Sequence, residues 1–181
     1  MKVLKILGIA TLVFMAIIVL IIALIWGSIE WNRYSKKKEA IRYQKEVCDT
    51  IRTVVGNFEL KVDGFMPKEL KTIKFYLKRD QLIIRDTTIN FTAENDLETQ
   101  MLTIPFKIWD VKDWIIVVIK DRTYLLSGFS YIAYYNYGMF GPVGPCQCGG
   151  SSYQNVNGKP AGSGWLLKKE GLLNYQLPPR K

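Results

Sequence analysis

The three cysteines are the side chains of this 181-residue chain with the most obvious chemistry. Cys146 and Cys148 are separated by a single glutamine, and Cys48 lies far earlier in the sequence. A Cys-x-Cys pair can serve as a reactive dithiol or as two metal ligands, but it lacks the Cys-x-x-Cys spacing of thioredoxin-like sites. We favour a structural disulfide from Cys48 to either Cys146 or Cys148. An odd number of cysteines then leaves one thiol unpaired within the chain.

The chain contains no histidine, which excludes several kinds of catalytic site. Ser-His and Cys-His nucleophilic pairs, imidazole general bases and histidine-containing metal sites all need this side chain. A zinc site would have to combine all three cysteines with a carboxylate. We therefore predict no catalytic residues, no metal site and no cofactor, and we expect a non-enzymatic protein.

Two groups of acidic residues could serve as calcium ligands or as a glycosidase-type carboxylate pair. One consists of Glu94, Asp96 and Glu98, and the other of Asp110 and Asp113. Their spacing matches no calcium-binding loop. Because acidic side chains are common in turns for backbone reasons, we interpret both groups as turn residues.

Aromatic residues are concentrated near the middle of the C-terminal half of the chain. The set comprises Tyr131, Tyr134, Tyr135, Tyr137 and Phe140. Tyrosine is frequent at recognition surfaces, because it offers contact area and a hydroxyl at a low entropic cost, and it is equally frequent in packed strands. Both interpretations stay open, and this set is our predicted partner-binding surface.

An N-terminal apolar segment predicts a membrane-spanning helix, which would hold the cysteines and the aromatic set near a membrane. Residues 6–26 carry no charge, and about 20 such residues span the hydrocarbon core of a bilayer. The run is too long for the apolar part of a signal peptide, and no small-x-small cleavage site follows it. We predict an uncleaved single-pass signal anchor over residues 1–28. Its membrane-interface residues are predicted to be Trp26, Trp31, Tyr34, Lys36, Lys37 and Lys38.

The net charge is +9, and part of it follows the apolar run directly. A basic collar beside a membrane helix suits anionic lipid headgroups, and no nucleic-acid-binding motif accompanies it. The collar taken alone favours a cytoplasmic domain under the positive-inside rule. The Gly-, Tyr- and Asn-rich C-terminal part and the Cys146/Cys148 pair suit an oxidising compartment instead. We predict a membrane protein whose domain is extracytoplasmic, in the periplasm or outside the cell, and which does not bind nucleic acid.

The remaining pattern predicts an α+β fold. Apolar residues at helical spacing predict that the anchor continues into an amphipathic juxtamembrane helix over residues 29–56. Residues 57–181 predict a single β-rich domain, an antiparallel meander of short strands with a buried central strand at 114–119. Pro105 indicates an edge or a bulge in a strand over 101–109. The many glycines and prolines between Gly138 and Gly164 predict a long loop.

These features predict a membrane-anchored, non-catalytic binding or assembly protein that presents its domain to a protein partner. It would be a subunit of an envelope or secretion complex, or an immunity protein that neutralises an incoming toxin. One alternative is a thiol-redox or other enzyme that uses Cys146 and Cys148. The other is a binder of lipid or polymer surfaces that uses the basic collar.

Overall fold

A computed structural model of the chain describes residues 2–93, 99–162 and 164–180. Its first element is one uninterrupted helix, α1, over Lys2–Glu46. At 1.5 Å per residue, these 45 residues extend for about 68 Å. Its described apolar part, from Thr11, is long and apolar enough to cross a membrane, and none of that stretch is buried by the rest of the chain. The apolar segment thus continues directly into the juxtamembrane helix, as predicted.

The helix ends at Glu46, about ten residues before the predicted end. A single 3-10 turn over Cys48–Thr50 follows, and then strand β1 over Thr53–Val55. The predicted extension of the helix to residue 56 was therefore wrong. The β-branched residues Thr53, Val54 and Val55 favour a strand, and Val54 is fully buried opposite Trp109 of a later strand.

In the part of the chain that the structure describes, ten further strands follow β1. They are β2 (Phe58–Asp63), β3 (Thr72–Arg79), β4 (Leu82–Asn90), β5 (Thr99–Ile104), β6 (Ile108–Asp110), β7 (Trp114–Ile119), β8 (Arg122–Gly138), β9 (Gly141–Val156), β10 (Lys159–Pro160) and β11 (Trp165–Leu167). They form sheets of two strands (β1-β6), three strands (β11-β2-β5) and six strands (β10-β9-β8-β7-β3-β4). The registered pairs are antiparallel except for β11 with β2. The predicted α+β class is confirmed.

The six-stranded sheet is only partly a meander. Strands β7 to β10 are neighbours in chain order, but β3 lies on the other side of β7 and separates it from β4. Strand β7 is an interior strand with Ile115, Ile116, Val117 and Ile119 fully buried. Its β-branched sequence, buried on both faces, matches the prediction for residues 114–119.

The predicted strand over 101–109 is divided into β5 and β6. The break falls at Pro105, whose missing N–H cannot contribute to a ladder. The predicted acidic group Glu94, Asp96 and Glu98 lies outside the described residues.

The segment predicted as a long Gly/Pro-rich loop is instead mostly strand β9. It is joined to β8 by the two residues Met139 and Phe140, so that the strands form a hairpin. Strand β10 pairs with β9 only at Asn155 and Val156, which leaves most of the other edge of β9 without a described strand partner. Prolines are tolerated on such an edge, and glycines tolerate the positive φ that Gly141 and Gly144 adopt here.

The chain divides into two compact units. The first consists of residues 1–45 and 133–147, that is, nearly all of α1 together with the end of the β8–β9 hairpin. We call residues 133–147 the arm. The second unit consists of residues 46–132 and 148–181 and contains the hydrophobic core.

Two buried carboxylates form ion pairs within the second unit. The Glu69 side chain is 3% exposed, and its oxygens lie 2.6 Å from Lys168 Nζ and 2.9 Å from Lys120 Nζ. Arg79 donates two hydrogen bonds of 2.8 Å to the two oxygens of Asp113, whose side chain is 1% exposed. Such fork geometry holds the ends of β3 and β7 together.

Candidate functional site

A disulfide joins Cys48 to Cys148 within the second unit. Cys48 lies in the turn directly after α1, it is 2% exposed, and its Cα is 5.5 Å from that of Cys148 in β9. The sequence left Cys146 and Cys148 open as partners of Cys48, and the structure has the bond to Cys148. The bond closes a loop with a sequence separation of 100 residues.

Cys146 is the free cysteine, and it is buried. It belongs to the arm, as does Tyr135, which is 7% exposed. Burial raises the pKa of the Tyr135 hydroxyl above its usual range. The Cys-x-Cys motif therefore contains one bonded and one buried sulfur, and neither is an exposed thiolate of the kind that reactive cysteines need.

The predicted aromatic set is divided by the fold. Tyr131 lies in the second unit, where its hydroxyl accepts a hydrogen bond of 3.0 Å from the Val55 N–H. Tyr134, Tyr135 and Tyr137 lie in the arm on β8, and Phe140 lies in its turn. Tyr135 is buried, whereas Tyr137 and Phe140 are 79% and 65% exposed. Tyr134 is partly exposed and donates a hydrogen bond of 3.2 Å to Gln147.

The exposed surface of the arm also includes residues that the sequence analysis did not single out. Met139 is 90% exposed and Val143 is 49% exposed. No Asp, Glu, Lys or Arg occurs between residues 123 and 158. That long uncharged stretch, visible in the sequence, was the signal that could have identified the arm as a surface.

The arm lies along the part of α1 that follows the apolar segment. The Ala133 N–H donates a hydrogen bond of 2.7 Å to the Gln44 side chain. Lys36 Nζ lies 4.8 Å from the centre of the Tyr135 ring, which is a cation–π contact. The Gly141 backbone is close to Arg33, so that a β-carbon at Gly141 would lie 3.4 Å from Arg33 Cγ.

A cavity of about 600 Å³ lies between α1 and the arm. Its helix side includes the basic residues Arg33, Lys36 and Lys37. Its arm side includes Tyr137 and Met139. It thus combines basic side chains with apolar and aromatic surface.

The predicted membrane-interface residues lie on the same helix. Trp26, Trp31 and Tyr34 are 66%, 73% and 53% exposed. Lys38 Nζ lies 4.6 Å from the centre of the Tyr34 ring. Two basic residues near them are already paired with acids one helical turn away, Arg33 with Glu30 and Lys36 with Glu39, both at 2.9 Å. Hydrogen bonding to Lys36 lowers the pKa of Glu39.

The acidic group at Asp110 and Asp113 has a structural explanation. Asp113 accepts hydrogen bonds from Arg79 and also from the Asp110 N–H, the latter at 3.0 Å. The Asp110 carboxylate caps its own turn by accepting the Lys112 N–H at 2.9 Å. Over residues 2–93, 99–162 and 164–180, no three His, Cys, Asp or Glu side chains come together in a way that could hold a metal ion.

Comparison of the chain with protein-family models, with curated protein sequences and with solved structures gave no match.

Proposed function

We propose that this chain is a membrane-anchored, non-catalytic binding or assembly protein that holds a protein partner through its arm. The observation that carries this proposal is the uncharged, largely exposed surface of the arm. Tyr134 and Val143 contribute to it from the strands, and Tyr137 extends it towards the turn. Interface cores are poor in charged residues and rich in tyrosine, which is the composition found here.

In this proposal, α1 is an uncleaved signal anchor that crosses the membrane once. The uncharged run over residues 6–26 and the helix that continues for some twenty residues beyond it support this role. Because α1 continues beyond the uncharged run, and the arm packs along this continuation, α1 would hold the arm close to the bilayer.

The proposal puts the domain outside the cytoplasm. Support comes from the Cys48–Cys148 disulfide, because disulfides persist in oxidising compartments and are rare in the cytosol. The basic collar opposes this orientation under the positive-inside rule. We give the disulfide more weight, because Cys48 is almost fully buried within the bonded structure.

The redox alternative has less support. A catalytic dithiol needs two neighbouring sulfurs that exchange between bonded and free states, with one of them accessible. Here Cys148 is bonded to distant Cys48, and Cys146 is buried. An envelope or secretion-complex subunit and a toxin-neutralising immunity protein are the two kinds of assembly role that remain.

Site-specific photo-crosslinking in the host's own membranes tests the proposal. A photoreactive phenylalanine analogue replaces Tyr134, and a control chain carries it at Leu173, which is 54% exposed in the second unit. The proposal expects one discrete protein adduct from position 134 and none from position 173. An immunity protein would give the adduct only when toxin is supplied, whereas a complex subunit would give it constitutively.

Two results would count against the proposal. One is the absence of any adduct from position 134 both with and without an incoming toxin. The other is substrate turnover by the purified full chain that a single point substitution abolishes.

A further inference from the structure

We propose that the turn of the arm is a second membrane contact. Met139 and Phe140 enter the headgroup layer of the bilayer that α1 spans, and basic residues of α1 beside the turn bind phosphate groups of anionic lipids. This inference rests on the proposed membrane span. It assigns Phe140 to lipid and leaves the strands of the arm to the protein partner.

The contacts between the arm and α1 show the direction in which the arm runs. At the base of the arm, Ala133 bonds to Gln44. Tyr135 then contacts Lys36, and Gly141, just past the turn, lies against Arg33. Moving from the base towards the turn, the helix contacts therefore move from residue 44 back to residue 33. The turn is the part of the arm nearest to the apolar segment.

The helix rise gives the depth of the turn. Arg33 is seven residues beyond Trp26, where the uncharged run ends, which corresponds to about 10 Å along the axis. The polar layer outside the hydrocarbon core is roughly 5 to 8 Å thick on each side. Gly141 therefore lies about 2 to 5 Å outside this layer, and the inference places the side chains of Met139 and Phe140, at the tip just before it, across that gap and in the layer.

The side chains at the turn suit this environment. Met139 is 90% exposed and Phe140 is 65% exposed, and no charged residue is present in the arm. Contiguous exposed apolar residues mark interaction sites. Binding to the interfacial layer strengthens with the apolar area that is buried there, and Met139 and Phe140 offer such area.

The charge of the neighbouring part of α1 favours lipid headgroups, rather than a protein, around the turn. Residues 30–39 carry four bases, Arg33, Lys36, Lys37 and Lys38, against the two acids Glu30 and Glu39. Three of these bases line the cavity beside the turn. Lysines near an anionic membrane surface each contribute favourably to binding, and the phosphate group is the part of a lipid at that depth.

Depth-dependent fluorescence of the full chain in lipid nanodiscs tests this inference. In a Cys146→Ser background, single cysteines are introduced by Met139→Cys, Leu20→Cys and Ile41→Cys and labelled with an environment-sensitive dye. Leu20 lies within the span, and Ile41 is a matched exposed apolar residue about 22 Å beyond Trp26 along the same helix. Nitroxide groups attached to lipid headgroups then quench dyes in the polar layer.

The inference expects a blue-shifted emission at positions 20 and 139 and a water-like emission at position 41. Headgroup nitroxides should quench position 139 at least about fivefold more than position 41, and more strongly in discs with anionic phosphatidylglycerol than in pure phosphatidylcholine.

Other results would overturn it and indicate why. If position 139 behaves like position 41 while position 20 is shielded, the span stands and the second membrane contact is wrong. If position 20 is also water-exposed, the proposed span itself fails. If position 139 is shielded in native membranes but not in discs, a protein rather than lipid covers the turn. Equal quenching in both kinds of disc would refute the role given to the basic residues.

Discussion

Removal of the Cys48–Cys148 bond should destabilise the folded chain strongly. The two cysteines are separated by 100 residues. In the chain-entropy model, a cross-link that closes a loop of this length stabilises the folded state by roughly 4 to 5 kcal/mol, because it restricts the unfolded chain. This is a large fraction of the stability of an ordinary domain, which is about 5 to 15 kcal/mol.

The design must prevent Cys146 from replacing Cys148 as the partner of Cys48. The Cys146→Ser chain retains the native bond and serves as the control. The Cys146→Ser/Cys148→Ser chain cannot form any intramolecular disulfide. Because the serine at position 146 is common to both, its own effect cancels.

Guanidinium-induced unfolding of the two full chains in the same detergent gives the comparison. Of the five tryptophans, Trp109 is 2% exposed in the core of the second unit, so its exposure on unfolding changes the tryptophan fluorescence of the chain. We expect the double variant to unfold at a midpoint about 1 M lower. If the two curves agree within about 1 kcal/mol although mass spectrometry finds the bond in the control, the chain-entropy reasoning is wrong. If no bond is found, the pairing itself is wrong.

Two further predictions concern the buried carboxylates. Hydrogen bonds from Lys168 and Lys120 hold the pKa of Glu69 at about 2, below the value of about 4.3 for an unfolded glutamate. The ionised Glu69 therefore contributes to the free energy of unfolding at neutral pH, and this contribution is lost as the pH falls from about 5 to 2. Glu69→Gln should lower the unfolding free energy at pH 7 by about 2 kcal/mol and flatten its decline over that range, and an unchanged pH profile would contradict this. Asp113→Asn should lower the unfolding free energy by about 2 kcal/mol, because it breaks the two-bond pair with Arg79, and a loss below about 0.5 kcal/mol would contradict this.

The long apolar helix and the interior strand could be predicted directly from the sequence because each is a local property of the chain. The uncharged run over residues 6–26 needs only its length and composition to indicate a span. The run of β-branched residues in β7 likewise indicates burial on both faces. In both cases the pattern lies within the element itself.

The arm could not be read in this way, because its structure depends on strand pairing. Gly141, Pro142, Gly144 and Pro145 are typical of turns when considered alone. Opposite the uncharged residues 123–138 of strand β8, the same residues form one side of a hairpin in which the glycines adopt positive φ and the prolines occupy an edge. The burial of Tyr135 against α1 is likewise a tertiary contact that the sequence does not encode locally.

The end of α1 shows the same competition between local and tertiary preferences. Apolar residues at helical spacing extend to Val55, so the periodicity alone favoured a longer helix. Pairing of Val54 with Trp109 across two short strands, together with the bond from Cys48, takes these residues out of the helix.

The placement of the domain outside the cytoplasm is tested most directly by the Ile41→Cys/Cys146→Ser chain in intact spheroplasts. Ile41 is 54% exposed, and it follows the span on the same helix. A membrane-impermeant maleimide should label it before lysis, while a cysteine in a cytoplasmic marker protein stays unlabelled. If labelling at position 41 occurs only after the membrane is opened, the domain lies in the cytoplasm and the proposed orientation is wrong.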